Sequence, residues 1–245
     1  MNRVTYCLIT HTSYADVLHM YLHRNKRNIP WLPLTIAIND AKWLMERYGT
    51  EFPFQKVIPY DDSLLYGARM KYILEQLDTE YVLINHDSNV IVEPVQESFL
   101  NQAIEHMDTH NVDQLRLSSA GILNIEYDNQ PFHRINHSGN YIFSALTALW
   151  RRSSLVGLYT KFFDHTMRCI ECESIQIYAK QFNSWYISSQ NDIIQLPDCH
   201  SISYLFPTVH VTHFGKWMTN AHGNQKYIHA LANEFGIDLS IRGCQ

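Results

Sequence analysis

The chain has few cysteines, no block of basic residues and no long apolar run. Its five cysteines are an odd number among 245 residues. Cys7 sits inside an apolar strand-like run and Cys244 near the last residue, which does not suit a secreted disulfide framework. No run of Lys or Arg forms a block and the formal net charge is -5, so the basic stripe of a nucleic-acid-binding protein is missing. No stretch approaches the roughly 20 apolar residues of a membrane span. The N-terminal MNRVTYCLIT has too short an apolar run for a signal peptide, and the expected compartment is the cytosol.

Several nucleotide and hydrolase signatures are missing as well. No GxGxxG follows the first apolar run, no GxxxxGK[ST] occurs and no GxSxG elbow is present. These absences argue against a dinucleotide site, a P-loop hydrolase and an α/β-hydrolase. No internal repeat or low-complexity linker divides the chain, and its length suits a single domain.

What is present is alternation. Residues 4–10, Leu34–Ile38, Lys56–Pro59 and 81–84 read as strands, and 14–27, 42–48 and 64–77 have helical spacing. Gly49 ends the second helix. The order predicts an α/β layer with parallel strands covered on both faces. Further on, 95–107, 153–159, 171–182 and 224–235 read as helices, 113–117 as a strand and 141–150 as a strand or strand pair, with 121–140 expected as loops.

Ligands of such sheets bind beyond the C-terminal strand ends. The tips are polar: Thr10-His11-Thr12, Asn39-Asp40 and Asn85-His86-Asp87. Asp87 is either a solvated turn acid or a carboxylate poised for a divalent cation that bridges phosphates. Asp40 reads equally as a turn acid. Glu171 is either a helix N-terminal acid that complements the dipole or a functional carboxylate. His165, Cys169 and Cys172, with Cys199 and His200 downstream, offer a rival structural zinc site.

The segment YGARMKYILEQLDTEYVLINHDSNVIV resembles the donor-site segment of GT-A-fold glycosyltransferases, in which a helix with a basic residue leads to a strand ending in D-x-D or E-D. RLSSAG at 116–121, ALWRRSSL at 148–155, MRCIECESIQIYAKQF at 167–182 and HFGKW at 213–217 extend the likeness over most of the chain. The set is similar to the small GT-A domains encoded by large chlorella viruses. The resemblance implies a GT-A-like, mixed and mainly parallel sheet flanked by helices. Residues 1–94 would form the nucleotide-sugar half and 95–245 the acceptor and catalytic half.

It also implies transfer from a UDP- or dTDP-sugar to a glycan hydroxyl, with inversion and Mn2+ or Mg2+. Asp87, with His210 or His213, would hold the metal. Thr10, His11, Thr12, Asp40, Tyr66, Arg69, Asn85, His86 and Lys216 would line the donor site, with Asp40 accepting from a uracil or thymine N3–H. Glu171 would be the general base that takes the acceptor's proton, with Glu173 in reserve. Asn85 departs from the pattern, since it stands where the motif has its first acid. That favours the alternative of a catalytically silent nucleotide- or glycan-binding module on the same fold.

Overall fold

The computed structural model describes residues 3–117, 125–129, 131–136, 142–169, 171–187, 206–213, 215–219 and 225–244, with backbone only for 125–129 and 168. Its first half is the expected alternation: β1 (Val4–Ile9), α1 (Ala15–Asn28), β2 (Leu34–Ile38), α2 (Ala41–Tyr48), β3 (Lys56–Pro59), α3 (Tyr66–Glu75) and β4 (Tyr81–His86). These four strands pair in parallel, in the order β3-β2-β1-β4.

The second half completes the same sheet. After β5 (Asn89–Ile91) and α4 (Glu97–Thr109) come β6 (Gln114–Arg116), β7 (Ile125–Asn129), β8 (Phe132–Ile135), β9 (Ala148–Arg151) and α5 (Arg152–Lys161). Then follow α6 (Glu173–Ala179), β10 (Ser184–Ile187), β11 (Thr208–His210), β12 (Thr212–His213), β13 (Lys216–Trp217) and α7 (Gln225–Phe235). The nine-stranded order is β3-β2-β1-β4-β9-β6-β10-β8-β7. Because β9 is antiparallel to β4 and β6, and β8 to β10 and β7, all strands but β9 and β8 run the same way.

Alternation along each strand feeds two cores. Tyr6, Leu8, Ile36, Ile38, Tyr81, Leu83 and Leu149 pack with α1 and α4 on one face. Cys7, Ile9, Ala37, Val82, Ile84 and Trp150 pack with α3, α5 and α6 on the other. Each fully buried aliphatic side chain contributes about 1.5–3 kcal/mol, so the central strands fix both the sheet and where its tips point. Among the described residues, no helix is long and apolar enough to cross a membrane.

Three local expectations need correction. Part of 121–140 is not loop but the β7–β8 hairpin at the sheet edge. β7 is the outermost strand, and β8 beside it places His133 and Arg134 between Phe132 and Ile135, which masks the usual signal. The strand expected over 141–150 is confined to β9, after bends at 145–147. The helix expected from 171 begins at Glu173.

Candidate active site

The tip of β4 carries three residues with three different fates, set by the pleat. Asn85 points to the α1 face and is fully buried. Its Nδ2 donates to the Tyr21 hydroxyl at 2.8 Å and the Asn89 carbonyl at 3.1 Å. Its Oδ1 accepts from the Thr147 hydroxyl at 2.7 Å and the His86 amide at 2.9 Å. The amide ties β4 to α1, to the start of β5 and to the segment before β9, and its polar atoms are occupied within the fold. The donor contact expected of Asn85 therefore has no exposed surface behind it.

Asp87 returns toward the tip of β1. It is 6% exposed, and its Oδ2 accepts from the Thr10 hydroxyl at 2.5 Å. Burial pushes its carboxyl up to about 7, against the opposing pull of that hydrogen bond, the Ser88 amide and the Arg242 charge. The carboxylate thus pays for desolvation with no partner cation in contact among the described residues, the condition in which an added positive charge gains most.

His86 points to the opposite face. Its Nε2 lies 3.3 Å from the Tyr66 hydroxyl. Burial lowers its imidazole to about 4, which keeps it neutral, while the negative charge of Glu171 acts in the other direction. Glu171 also bears on the Tyr66 and Tyr159 phenols, which burial drives up. The Glu171 Oε1 accepts from the Ser144 hydroxyl at 2.9 Å and the Ala145 amide at 2.8 Å. The reserve candidate, Glu173, is exposed at the first residue of α6.

Gly67 sets the position of the loop that leads to Glu171. Its amide donates to the His165 carbonyl at 3.0 Å, and a Cβ there would lie 2.0 Å from the Phe162 carbonyl oxygen. Only a residue without a side chain lets α3 approach the end of α5 this closely.

The other tips are welded together. Thr12 gives its amide to Asn39 Oδ1 at 2.9 Å, and its hydroxyl accepts from Asn39 Nδ2 at 3.1 Å. His11 accepts the Ser13 amide at Nδ1 (2.9 Å) and reaches Asp62 through Nε2 at 2.9 Å. Arg69 stacks 4.5 Å over the Tyr60 ring and donates to the Asp62 and Leu64 carbonyls, each at 3.3 Å. Tyr60 in turn donates to the Thr10 carbonyl at 2.5 Å. Arg69 therefore braces the loop after β3. Asp40 is exposed and caps α2, accepting the Trp43 amide at 2.9 Å.

The histidine-rich segment closes the α1 side. β11 pairs antiparallel with β5, which sets His210 opposite Asn89, and His210 Nδ1 is 3.0 Å from Asn89 Oδ1. The Val211 amide donates to the Ser88 carbonyl at 2.7 Å. In the β12–β13 hairpin His213 faces Lys216, and both are exposed. Gly215 turns that hairpin at φ +79°, and a Cβ there would lie 3.8 Å from the Tyr14 hydroxyl.

Among the described residues no three His, Cys, Asp or Glu side chains converge on a point that could hold a metal. Of the rival zinc set, Cys199 and His200 lie outside the described residues. Asp87 is the one carboxylate of the β4 motif, so Mn2+ or Mg2+ fits here only if phosphate oxygens complete its shell. Sequence reasoning missed Thr147, Ser144 and Tyr14. They are ordinary polar residues until the chain folds, and no spacing marks them.

No family model and no curated protein matches the chain. Solved structures do. The S. aureus TarS 1-349 structure in complex with UDP-GlcNAc superposes with a TM-score of 0.53 at 11% identity, covering 98% of this chain and 69% of that one. The glycosyltransferase GlyE of Streptococcus pneumoniae TIGR4 gives 0.54 at 12% identity, over 97% of this chain and 62% of GlyE. A CMP:2-keto-3-deoxy-manno-octonic acid synthetase complexed with CTP gives 0.50 at 10% identity, over 76% and 90%. At these identities the likeness defines the fold: a GT-A-like, mixed and mainly parallel α/β sheet. TarS and GlyE are bacterial, so they lend nothing to the viral kinship expected from the sequence.

Proposed function

We propose that this chain is a glycosyltransferase that moves a sugar from a nucleotide-diphosphate donor, UDP- or dTDP-linked, to a glycan hydroxyl. The observation that carries the reading is a β4 tip with a buried carboxylate on one face and the charge of a second carboxylate acting on the other. Asp87 lies against Thr10 on one side, and Glu171 bears on the neighbouring His86 on the other. Fold neighbours described in complex with UDP-GlcNAc and as a glycosyltransferase support it.

The nucleotide would lie across Thr10–Thr12, Asp40 and the Arg69-braced loop, with its diphosphate toward Asp87 and Lys216. Glu171, held by Ser144 and Ala145, would take the acceptor's proton as the hydroxyl attacks the anomeric carbon, giving inversion. Lys216 would offset the charge that grows on the departing diphosphate. Mn2+ or Mg2+ held by Asp87, with His210 or His213, would add Lewis-acid stabilisation of the same charge. The cytosol remains the expected compartment.

The test is a panel of UDP- and dTDP-sugars assayed for release of the nucleoside diphosphate, alone and with glycan acceptors. Turnover of one donor is the expected result. UDP binding without turnover of any donor would favour the silent module, a reading supported by the occupied amide at Asn85.

A further inference from the structure

The C-terminal segment after α7 folds back on the candidate donor site. The Trp217 amide donates to the Gly243 carbonyl at 3.0 Å, and Trp217 forms an isolated parallel bridge with Cys244. This pins the tail to the hairpin that carries His213 and Lys216. The tail's cation, Arg242, then spans to the turn that follows β1. Its Nε donates to Asp16 Oδ2 at 2.6 Å, and its Nη2 donates to Asp16 Oδ1 and, at 2.7 Å, to the Ser13 carbonyl. The guanidinium lies 4.7 Å over the Tyr14 ring.

Three features aim this arginine at a ligand. Its Asp16 pair and Tyr14 stack fix the guanidinium plane, so little side-chain freedom is left to lose on binding. Its Nη1 makes no hydrogen bond with the described residues, so two N–H donors remain. Its positive charge pulls on both the Asp87 carboxyl and the Tyr14 phenol, and Asp87 pushes the Tyr14 phenol the other way. Arg242, Tyr14 and Asp87 therefore share one electrostatic space, bounded by the Gly215 turn.

We infer that Arg242 is a diphosphate-contacting residue of the donor site, supplied by the C-terminal tail. Together with Lys216 it brings positive charge to a tip that has one acid where two would anchor a cation. The inference rests on the nucleotide-donor reading. An ion-paired arginine with a free edge suits a phosphate oxygen, whereas a nucleoside without phosphates offers it nothing.

Calorimetric titration of UDP and of uridine into the full chain and into Arg242→Ala, each with EDTA and with Mn2+, tests this. Loss of the contact should weaken UDP binding roughly 10- to 100-fold while uridine binding stays unchanged. Arg242→Lys should fall between the two. If Arg242→Ala fails to fold, wild-type chain treated with phenylglyoxal decides, since UDP but not uridine should protect Arg242. Equal UDP affinity in wild type and Arg242→Ala, or no protection, overturns the inference alone. Failure of the wild type to bind either UDP or dTDP, titrated in the same way, overturns the donor reading and the inference together.

Discussion

The two faces of the β4 tip are built on opposite electrostatic plans. On the α1 face a buried carboxylate, Asp87, accepts from the Thr10 hydroxyl and feels the positive charge of Arg242 against the negative charge of Asp16, with the hairpin that carries Lys216 joined to the same tail as Arg242. On the α3/α5 face one carboxylate, Glu171, held by a hydroxyl and an amide, acts on a neutral imidazole, His86, and two buried phenols. The first plan suits a ligand that is or becomes anionic. The second suits a group that must accept a proton from a neutral hydroxyl. One strand serves both because adjacent residues point to opposite faces.

The largest expected effect removes the second plan and spares the first. Glu171→Gln should lower turnover by roughly 10²–10⁴-fold, the usual worth of a general base, with UDP affinity unchanged in the same preparation. Near-normal turnover would refute the assignment. Gly67→Ala strikes the same face indirectly. With its Cβ 2.0 Å from a carbonyl oxygen, α3 and the loop after α5 must separate. A loss of about 3 kcal/mol in urea unfolding is expected, of the order that overpacking costs.

Asn85→Asp sharpens the comparison, because sequence and structure disagree about it. Restoring the motif's first acid should, by resemblance, strengthen cation binding. In the fold it replaces a donor to the Asn89 carbonyl, 3.1 Å away, with a second acceptor. The expected result is destabilisation of about 1–3 kcal/mol and no gain in Mn2+-dependent UDP affinity. Tighter binding without loss of stability would show that the site can admit a carboxylate there.

The smallest effects are in pH dependence, and the two faces should have opposite slopes. Asp87 is raised in the fold to about 7, so the folded state holds a proton that the unfolded chain has released. Its contribution is full below the ordinary carboxylate range and is lost as pH rises through about 7. His86 is lowered to about 4, so its contribution is full above the ordinary imidazole range and is lost as pH falls toward about 4. Asp87→Asn should therefore raise Tm above neutrality and leave it unchanged in acid. His86→Gln should flatten the fall of Tm between neutrality and about pH 4. Melting curves with parallel pH profiles in both variants would contradict the assigned environments.

Legibility followed the same division between local and distant causes. The β1–β4 layer was readable because its strands are short apolar runs between helical spacings, and near neighbours in sequence decide such patterns. Asp87 and Glu171 could be picked out as acids at a strand tip and near a helix start. The β7–β8 hairpin was not readable, since an edge strand with polar residues looks like loop. Nor was the occupied state of Asn85, because its partners Tyr21 and Thr147 are 64 and 62 residues away.

The sequence by itself determined the alternation of elements along the first half, the parallel strands and the polar tips, because apolar periodicity and turn residues act over a few positions. Only the tertiary structure decided which tip residues are left for chemistry. A hydrogen-bonding group is spent or available according to what the fold brings beside it. For Asn85 that was a tyrosine, a threonine and a backbone carbonyl. For Asp87 it was one threonine, and for Arg242 an aspartate and a backbone carbonyl that, among the described residues, leave Nη1 without a hydrogen bond.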